Sequence, residues 1–366
     1  MKHVISLKTI ICLISIGLLI SSCTCVSYNG RSFNHHAEKK VHTSSPVTAG
    51  ELLYTNLTHM DLNVVGQDTD ECVIDADLTV SATSQEIADA VIEQLDIQFV
   101  QEAGRAVIAL ESPQEYTDDY FISGHMTMTL PSKVRLEMIT THGDCRIENV
   151  AGDINIKSTH GDFVFDKIGG DLTAASTHGN IELTQTQTAK TNLKTTHGRI
   201  ALNDCGIDGV SCSTTHDPIR LKKVLAESLD LHTTHGPIEL TDCTAKDAVL
   251  NTTHGAITGD VAGVERITAQ TSHAPIRMRC FNEINADLVA ALKTTHNNIK
   301  FSPPEGFTGN VHISTSHGKI RSDLPIIVQG VISDNQFNGI IGQGSGSITL
   351  TSTHGDIKLE DISKTE

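Results

Sequence analysis

The chain has 366 residues, of which 38% are hydrophobic and only 4% aromatic, with no tryptophan and a formal charge of −17. So few rings argue against sites that stack sugars or bases on aromatic platforms. The acidity repels phosphate backbones, which counts against nucleic acid as a partner. Nineteen histidines is a large number for this length, and they prove to organise the chain.

Lys2 and Lys8 make a positive n-region before a short apolar stretch at residues 9–20, too short for a permanent membrane span, so residues 1–22 read as a signal peptide. It ends Leu18-Leu19-Ile20-Ser21-Ser22-Cys23, which resembles the lipobox of bacterial lipoproteins. That resemblance implies cleavage before Cys23 and diacylglycerol on its thiol, with a second acyl chain needed for a stable anchor. Cys25 is the poorer candidate, because Ser22-Cys23-Thr24 precedes it. Thr24 in place of Asp after the lipidated cysteine resembles outer-membrane sorting, and implies an extracytoplasmic, membrane-anchored protein at the outer membrane or cell surface. Residues 23–50 read as a polar tether, with His35, His36 and His42 incidental to it. The later cysteines at 72, 145, 205, 212, 243 and 280 form no CxxC or short pair, so neither a disulfide framework nor a cysteine zinc site is expected. They read as small buried hydrophobes.

Residues 51–131 read as a small α+β cap. Ser84 can cap a helix that places Ile87, Ala88, Val91, Ile92 and Leu95 on one face. Strand-like runs at 62–65, 72–80, 97–100, 106–110 and 126–130 surround it. Such a cap would cover the first repeat and hide its strand edges.

From 132 to 362 a repeat governs the chain. [Thr/Ser]-[Thr/Ser]-His recurs with histidines at 142, 160, 178, 197, 216, 235, 254, 273, 296, 317 and 354, mostly 18 or 19 residues apart. The last gap, 37 residues, suggests a degenerate repeat near Asn335. With each histidine counted as zero, position +3 is Cys145, Phe163 and then isoleucine in every copy. Positions −6 and −4 are mostly apolar, and so, often, is +5. Period-two alternation on both sides of His-Gly predicts short strands meeting at a corner, with Gly152-Asp153 and Gly170-Asp171 marking an opposite corner. A 19-residue unit cannot bury its own apolar face, so the units must stack. The expected fold is mainly β: a parallel single-stranded β-solenoid (β-helix) of about 11–13 rungs of ~19 residues, capped N-terminally by the α+β segment. Glycine at +1 predicts positive φ at the corner, and Pro218, Pro237 and Pro275 imply that the corner varies.

Leu130-Pro131-Ser132, Thr141-His142-Gly143-Asp144 and Thr353-His354-Gly355-Asp356-Ile357, after a strand–helix–strand opening, resemble the bacterial envelope family named "putative adhesin", a β-strand-repeat domain of unknown function. The resemblance covers roughly residues 50–360. It implies the solenoid fold and no catalytic residues, and this chain places histidine where that family more often has Asn or Ser.

Three readings of the column His142, His160, His178, His197, His216, His235, His254, His273, His296, His317 and His354 are open. Strand parity turns position zero inward, which makes the column an internal ladder of stacked, neutral rings bonded to Ser/Thr hydroxyls or backbone. An exposed column could instead share Zn²⁺ or Cu²⁺ between rungs, with Asp144, Asp162 or Asp356 beside it. Third, the histidines could charge together on acidification and loosen the stack. An enzyme site breaks a repeat locally, whereas this repeat runs unbroken through residue 273, and no nucleophile elbow, P-loop or HExxH occurs. The expected role is a non-catalytic envelope lipoprotein, a scaffold or adhesin-like module without cofactor. Its expected partners are the membrane, through the anchor, and an envelope protein or glycan. A metal-binding or pH-responsive histidine protein is the alternative, and a carbohydrate-active β-helix enzyme stands behind both.

Overall fold

The computed structural model describes residues 27–28, 31–102, 104–113, 118–281, 287–329, 333 and 335–364. Cys23, Cys25 and the signal segment lie outside the described residues. The chain divides into two compact units, Met1–Val164 and Phe165–Glu366, and in each of them rungs stack in parallel as a β-solenoid.

In the first unit, Leu52–Leu57 pairs in parallel with Arg135–Thr140, which pairs in turn with Ile154–Lys157. Met60–Gln67 pairs in the same sense with Cys145–Glu148. Residues 52–67, which the sequence places in the cap, are thus themselves a rung, and the true cap is an excursion between this rung and the next. Arg105–Glu111 and Tyr120–Pro131 lie parallel on the two halves of the rung. The sheet then continues antiparallel through Glu71–Ala82 to His35–Pro46. The expected tether is therefore corrected: residues 35–46 are a twelve-residue strand. Only Val41 on it is buried, so it is held by backbone pairing to an open edge and shows no alternating apolar pattern in sequence. The helix runs Gln85–Gln94, with the Ser84 hydroxyl accepting from the Ile87 N–H at 3.3 Å and Ala88 and Val91 buried.

In the second unit, Ile200–Ser213, Ile219–His232 and Ile238–Asn251 pair residue for residue, so like positions lie over one another. The isoleucines at +3, apart from the half-buried Ile320, form a buried column in which each side chain contributes about 1.5–3 kcal/mol. The rung closed by His235 shows how a chain of period two encloses a core. Buried Ile219 and Leu221, then Val224 and Ala226, then Leu229, Leu231 and Thr233 make three inward runs. Between them Lys222-Lys223, Glu227-Ser228 and Thr234-His235 turn two successive residues outward. Each such pair resets the parity. The rung thus has three bends where the sequence suggested two.

The bend at +7 is left-handed. Asn149, Lys167, Gln185, Asp204, Lys223 and Asp242 have φ between 47° and 58°. Asn and Asp accept that conformation readily, whereas Lys and Gln pay for their Cβ. Replacing Lys223 by glycine is expected to raise stability by about 1 kcal/mol, read from the urea midpoint.

At the C-terminal end the order in space departs from the order in sequence. Val289–Lys293 pairs with Gly346–Ser352, whose other edge pairs with Gly309–Thr315. Ile357–Leu359 likewise lies between Ile299–Ser302 and Ile320–Ser322. The last rung of the chain is inserted between the two rungs that precede it. The degenerate rung expected near Asn335 is not there: Gln336–Ile341 runs antiparallel to Gly309–Thr315. A strand of opposite sense ends the parallel register and covers the edge, as the strands of the N-terminal cap do.

Candidate functional site

The histidine column lies outside the bend, not inside. His178 and the eight column histidines after it are exposed, and His142 and His160 are half-buried. The parity argument failed because the bend spends both −1 and zero on its outer side. Position −2 remains buried and +1 turns back inward. Although outside, the rings stack. In the first unit His142 lies 4.5 Å from His59 and 4.6 Å from His160, with planes within 3° of parallel. In the second, the sequence His178, His197, His216, His235, His254, His273, His296, His354, His317 is stacked at 4.2–5.2 Å with planes within 9°. The order 296, 354, 317 follows the inserted rung.

His59 was missed. Thr58-His59, with buried Leu62 and Val64 at +3 and +5, carries the signal, but Leu57 replaces the usual hydroxyl and Met60 the glycine. Burial first, and then the charge of His142, holds the His59 imidazole below its ordinary pKa. The unfolded chain therefore binds this proton more readily than the folded one. Its stabilising effect is complete above the ordinary histidine value and is lost as pH falls through the folded one. Replacing His59 by Gln is expected to reduce the drop in melting temperature between pH 7.5 and 5, measured by circular dichroism.

Backbone and hydroxyls set the column's geometry. Most −1 carbonyls accept the backbone N–H of the histidine on the adjoining rung, as Thr234 does from His254 at 2.9 Å. In several rungs it also receives Nδ1: His216 on Thr196, His235 on Thr215, His273 on Thr253, His296 on Ser272 and His317 on Thr353, at 3.2–3.4 Å. A carbonyl only accepts, so Nδ1 carries the hydrogen and Nε2 is left as an acceptor. Beneath the column, the −2 hydroxyl reaches the +1 carbonyl of the preceding rung. Thr195 to Gly179, Thr214 to Gly198, Thr252 to Gly236 and Thr271 to Gly255 span 3.0–3.2 Å. Thr252 Oγ1 also accepts from Gly255 N–H at 3.1 Å. Glycine at +1 is needed less for φ than for this approach. Gly161 has φ +118°, but Gly255 has no positive φ, and a Cβ there would lie 1.8 Å from the Gly236 carbonyl oxygen.

Parallel rings point their Nε2 lone pairs the same way instead of at one ion. Among the described residues, no three His, Cys, Asp or Glu side chains converge as metal ligands. Of the carboxylates expected beside the column, Asp144 Oδ1 accepts from Asp162 N–H at 2.8 Å and Asp356 Oδ1 from Lys319 N–H at 2.8 Å. His36 and His42 face Ser81 and Asp75 across the antiparallel strands. The six described cysteines are free and buried, and burial pushes the Cys72, Cys145 and Cys280 thiols up to about 12. That makes them poor nucleophiles. The surface is furrowed by open grooves; one, of about 560 Å³, is lined by Asp61, Asp144, Arg146 and Glu148 among others.

No curated protein sequence matches the chain. Among solved structures, it is similar to a putative adhesin from Parabacteroides merdae ATCC 43184 at 12% identity and TM-score 0.39, covering 91% of this chain and 97% of that one. A putative lipid binding protein from Parabacteroides distasonis ATCC 8503 aligns at 12% identity and TM-score 0.31, over 90% and 97%. A putative cell adhesion protein from Clostridium sporogenes ATCC 15579 aligns at 9% identity and TM-score 0.22, over 88% and 99%. Similarity at that level says nothing of a shared role. The family model is decisive: Toastrack DUF4097 matches residues 121–204 and 187–360, which take in every histidine of the repeat, and the chain belongs to that family.

Proposed function

We propose that the protein is a non-catalytic, extracytoplasmic lipoprotein, anchored at Cys23, that presents its repeated face to another envelope component in an adhesin-like or scaffold role. The observation that carries this reading is the exposed, evenly spaced histidine column of the second unit. A line of identical groups suits an extended or repetitive partner better than a single small substrate. Nε2 of His216, His235, His273, His296 and His317 offers an acceptor with no protein partner among the described residues. Catalysis would need acids and bases converging at one place, and the acids near the column are instead tied to backbone.

The test is cosedimentation of an unlipidated form beginning at residue 24 with isolated cell envelopes, alongside a variant of it with His216, His235 and His254 replaced by Ser. The expected result is binding that falls at least tenfold in the variant while its melting temperature holds. Equal binding by the two proteins, or none by either, contradicts the reading. Replacing Cys23 by Ala is expected to release the protein from the membrane fraction.

The stacking supports a second, compatible reading. Two charged rings at these separations repel by about 1 kcal/mol even at the dielectric of water. Acid would add that repulsion along the stacked rings of the second unit, which would make this face responsive to pH.

A further inference from the structure

Position +4 faces outward between the buried +3 and +5 residues, and it forms its own column. Through most of the second unit its charges are neutralised from rung to rung. Arg220 pairs with Glu239 at 2.7 Å on the neighbouring rung. The same habit holds at other positions: Arg266 with Asp247, Arg279 with Asp260 and Lys246 with Glu227. At the C-terminal end the habit stops. Arg277 is registered beside Lys300, Lys300 beside Lys358, and Lys358 beside Arg321. Four cations thus occupy consecutive rungs in one line, about 14 Å long at the spacing of sheet strands. The out-of-order rung closes this line, because Lys358 fills the place between Lys300 and Arg321.

Like charges directly paired across strands destabilise a sheet. Lys358 is relieved by Asp323 and Glu360, each at 3.1 Å. Arg277, Lys300 and Arg321 are exposed and have no acidic partner among the described residues. In a chain of charge −17, where every other described arginine but Arg135 carries an ion pair, an unrelieved cationic row needs a reason outside the fold. Beside it lies an open groove of about 460 Å³ lined by Arg277, Arg279 and Lys300, whose acids Glu239, Asp260 and Glu360 are ion-paired to Arg220, Arg279 and Lys358.

We propose that the row Arg277–Lys300–Lys358–Arg321 is a binding site for a linear anionic polysaccharide laid along the stack. A single file of charges in a polar surround selects among polyanions. A protein partner would want an apolar anchor at the centre of its contact, and the apolar residues of the groove, Leu240 and Met278, are buried. Single-stranded nucleic acid would want aromatic platforms for its bases. A flat anionic membrane would meet the acidic remainder of the molecule as well as the row, whereas one extended chain meets the row alone. The site is distinct from the histidine column and does not depend on its role.

The experiment is fluorescence anisotropy with labelled polygalacturonate oligomers and the mature full chain, from 20 mM to about 300 mM salt, with dextran as the neutral control. Four contacts predict a log–log salt slope of about −3. The variant R277Q/K300Q is expected to bind at least tenfold more weakly with a melting temperature equal to or above the parent's, since a repulsion has been removed. The variant K157Q/K194Q, which loses two exposed lysines elsewhere, is expected to bind as the parent does. The proposal is overturned if polygalacturonate does not bind at low salt, if dextran binds equally, or if both double variants lose the same affinity. It is also overturned if R277Q/K300Q melts lower than the parent, which would make the row structural, or if phosphatidylglycerol vesicles bind while the polymer does not.

Discussion

A chain ending at Gly342 is expected to lose cooperative protection over residues 309–341 and not merely over its missing end. Gly346–Ser352 supplies both edges: one pairs with Val289–Lys293 and the other with Gly309–Thr315. Without it, the preceding rung and its antiparallel cap have no parallel neighbour in native register. Ile348, Leu350, Ile357 and Leu359, all fully buried, leave the core together. At about 1.5–3 kcal/mol for each such side chain, their loss exceeds what a terminal rung and cap can absorb. Hydrogen exchange should show residues 309–341 exchanging freely while residues 200–250 keep their protection. Protection retained across 309–341 would mean that this rung can dock directly on Val289–Lys293, and that the inserted rung is dispensable.

The second large effect is expected where no large side chain is involved. Replacing Thr252 by Val keeps the volume but removes a buried hydroxyl that donates to the Gly236 carbonyl and accepts from Gly255 N–H. Two backbone groups then lose their partner in a water-free interior. The cost is about 2–4 kcal/mol, measured as a shift in the urea midpoint at constant slope. Replacing Thr252 by Ser should cost far less, because the hydroxyl survives and Ser352 already serves this position, donating to the Asn297 carbonyl at 3.0 Å. A Val variant as stable as the Ser variant would show that the −2 column is held by its methyl groups and not by its hydroxyls.

The repeat was legible because every rung repeats the same buried positions, and isoleucine at +3 and hydroxyl at −2 recur whatever else changes. Four features were hidden for physical reasons. The outward turn of the histidine was missed because parity is a property of straight strands, and the bend resets it with the pair Thr234-His235. The left-handed bend at +7 was missed because Lys167, Gln185 and Lys223 occupy it without glycine's signature. The order of the last rungs could not be read at all. Rungs built from like residues pair equally well with any neighbour, so Ile348 and Leu350 look the same in sequence whether they follow residue 322 in space or slip in ahead of residue 309. The strand at 35–46 was silent for another reason: its energy lies in backbone pairing, with Val41 its single buried side chain.

The same logic bears on the choice of fragment. Because His35–Pro46 pairs along its whole length with Glu71–Ala82, a soluble form should begin before residue 31 and not at the repeat itself. Cutting later would bare the edge of Glu71–Ala82 and invite association through it.

The most direct test of the column as an outward binding face is nitrogen-15 NMR of the imidazoles in the mature chain at pH 7.5. The account predicts the Nδ1–H tautomer for His216, His235, His273, His296 and His317, with Nε2 unprotonated and open to solvent. Protonation at Nε2, with Nδ1 as the acceptor, would remove the row of outward acceptors and contradict the account.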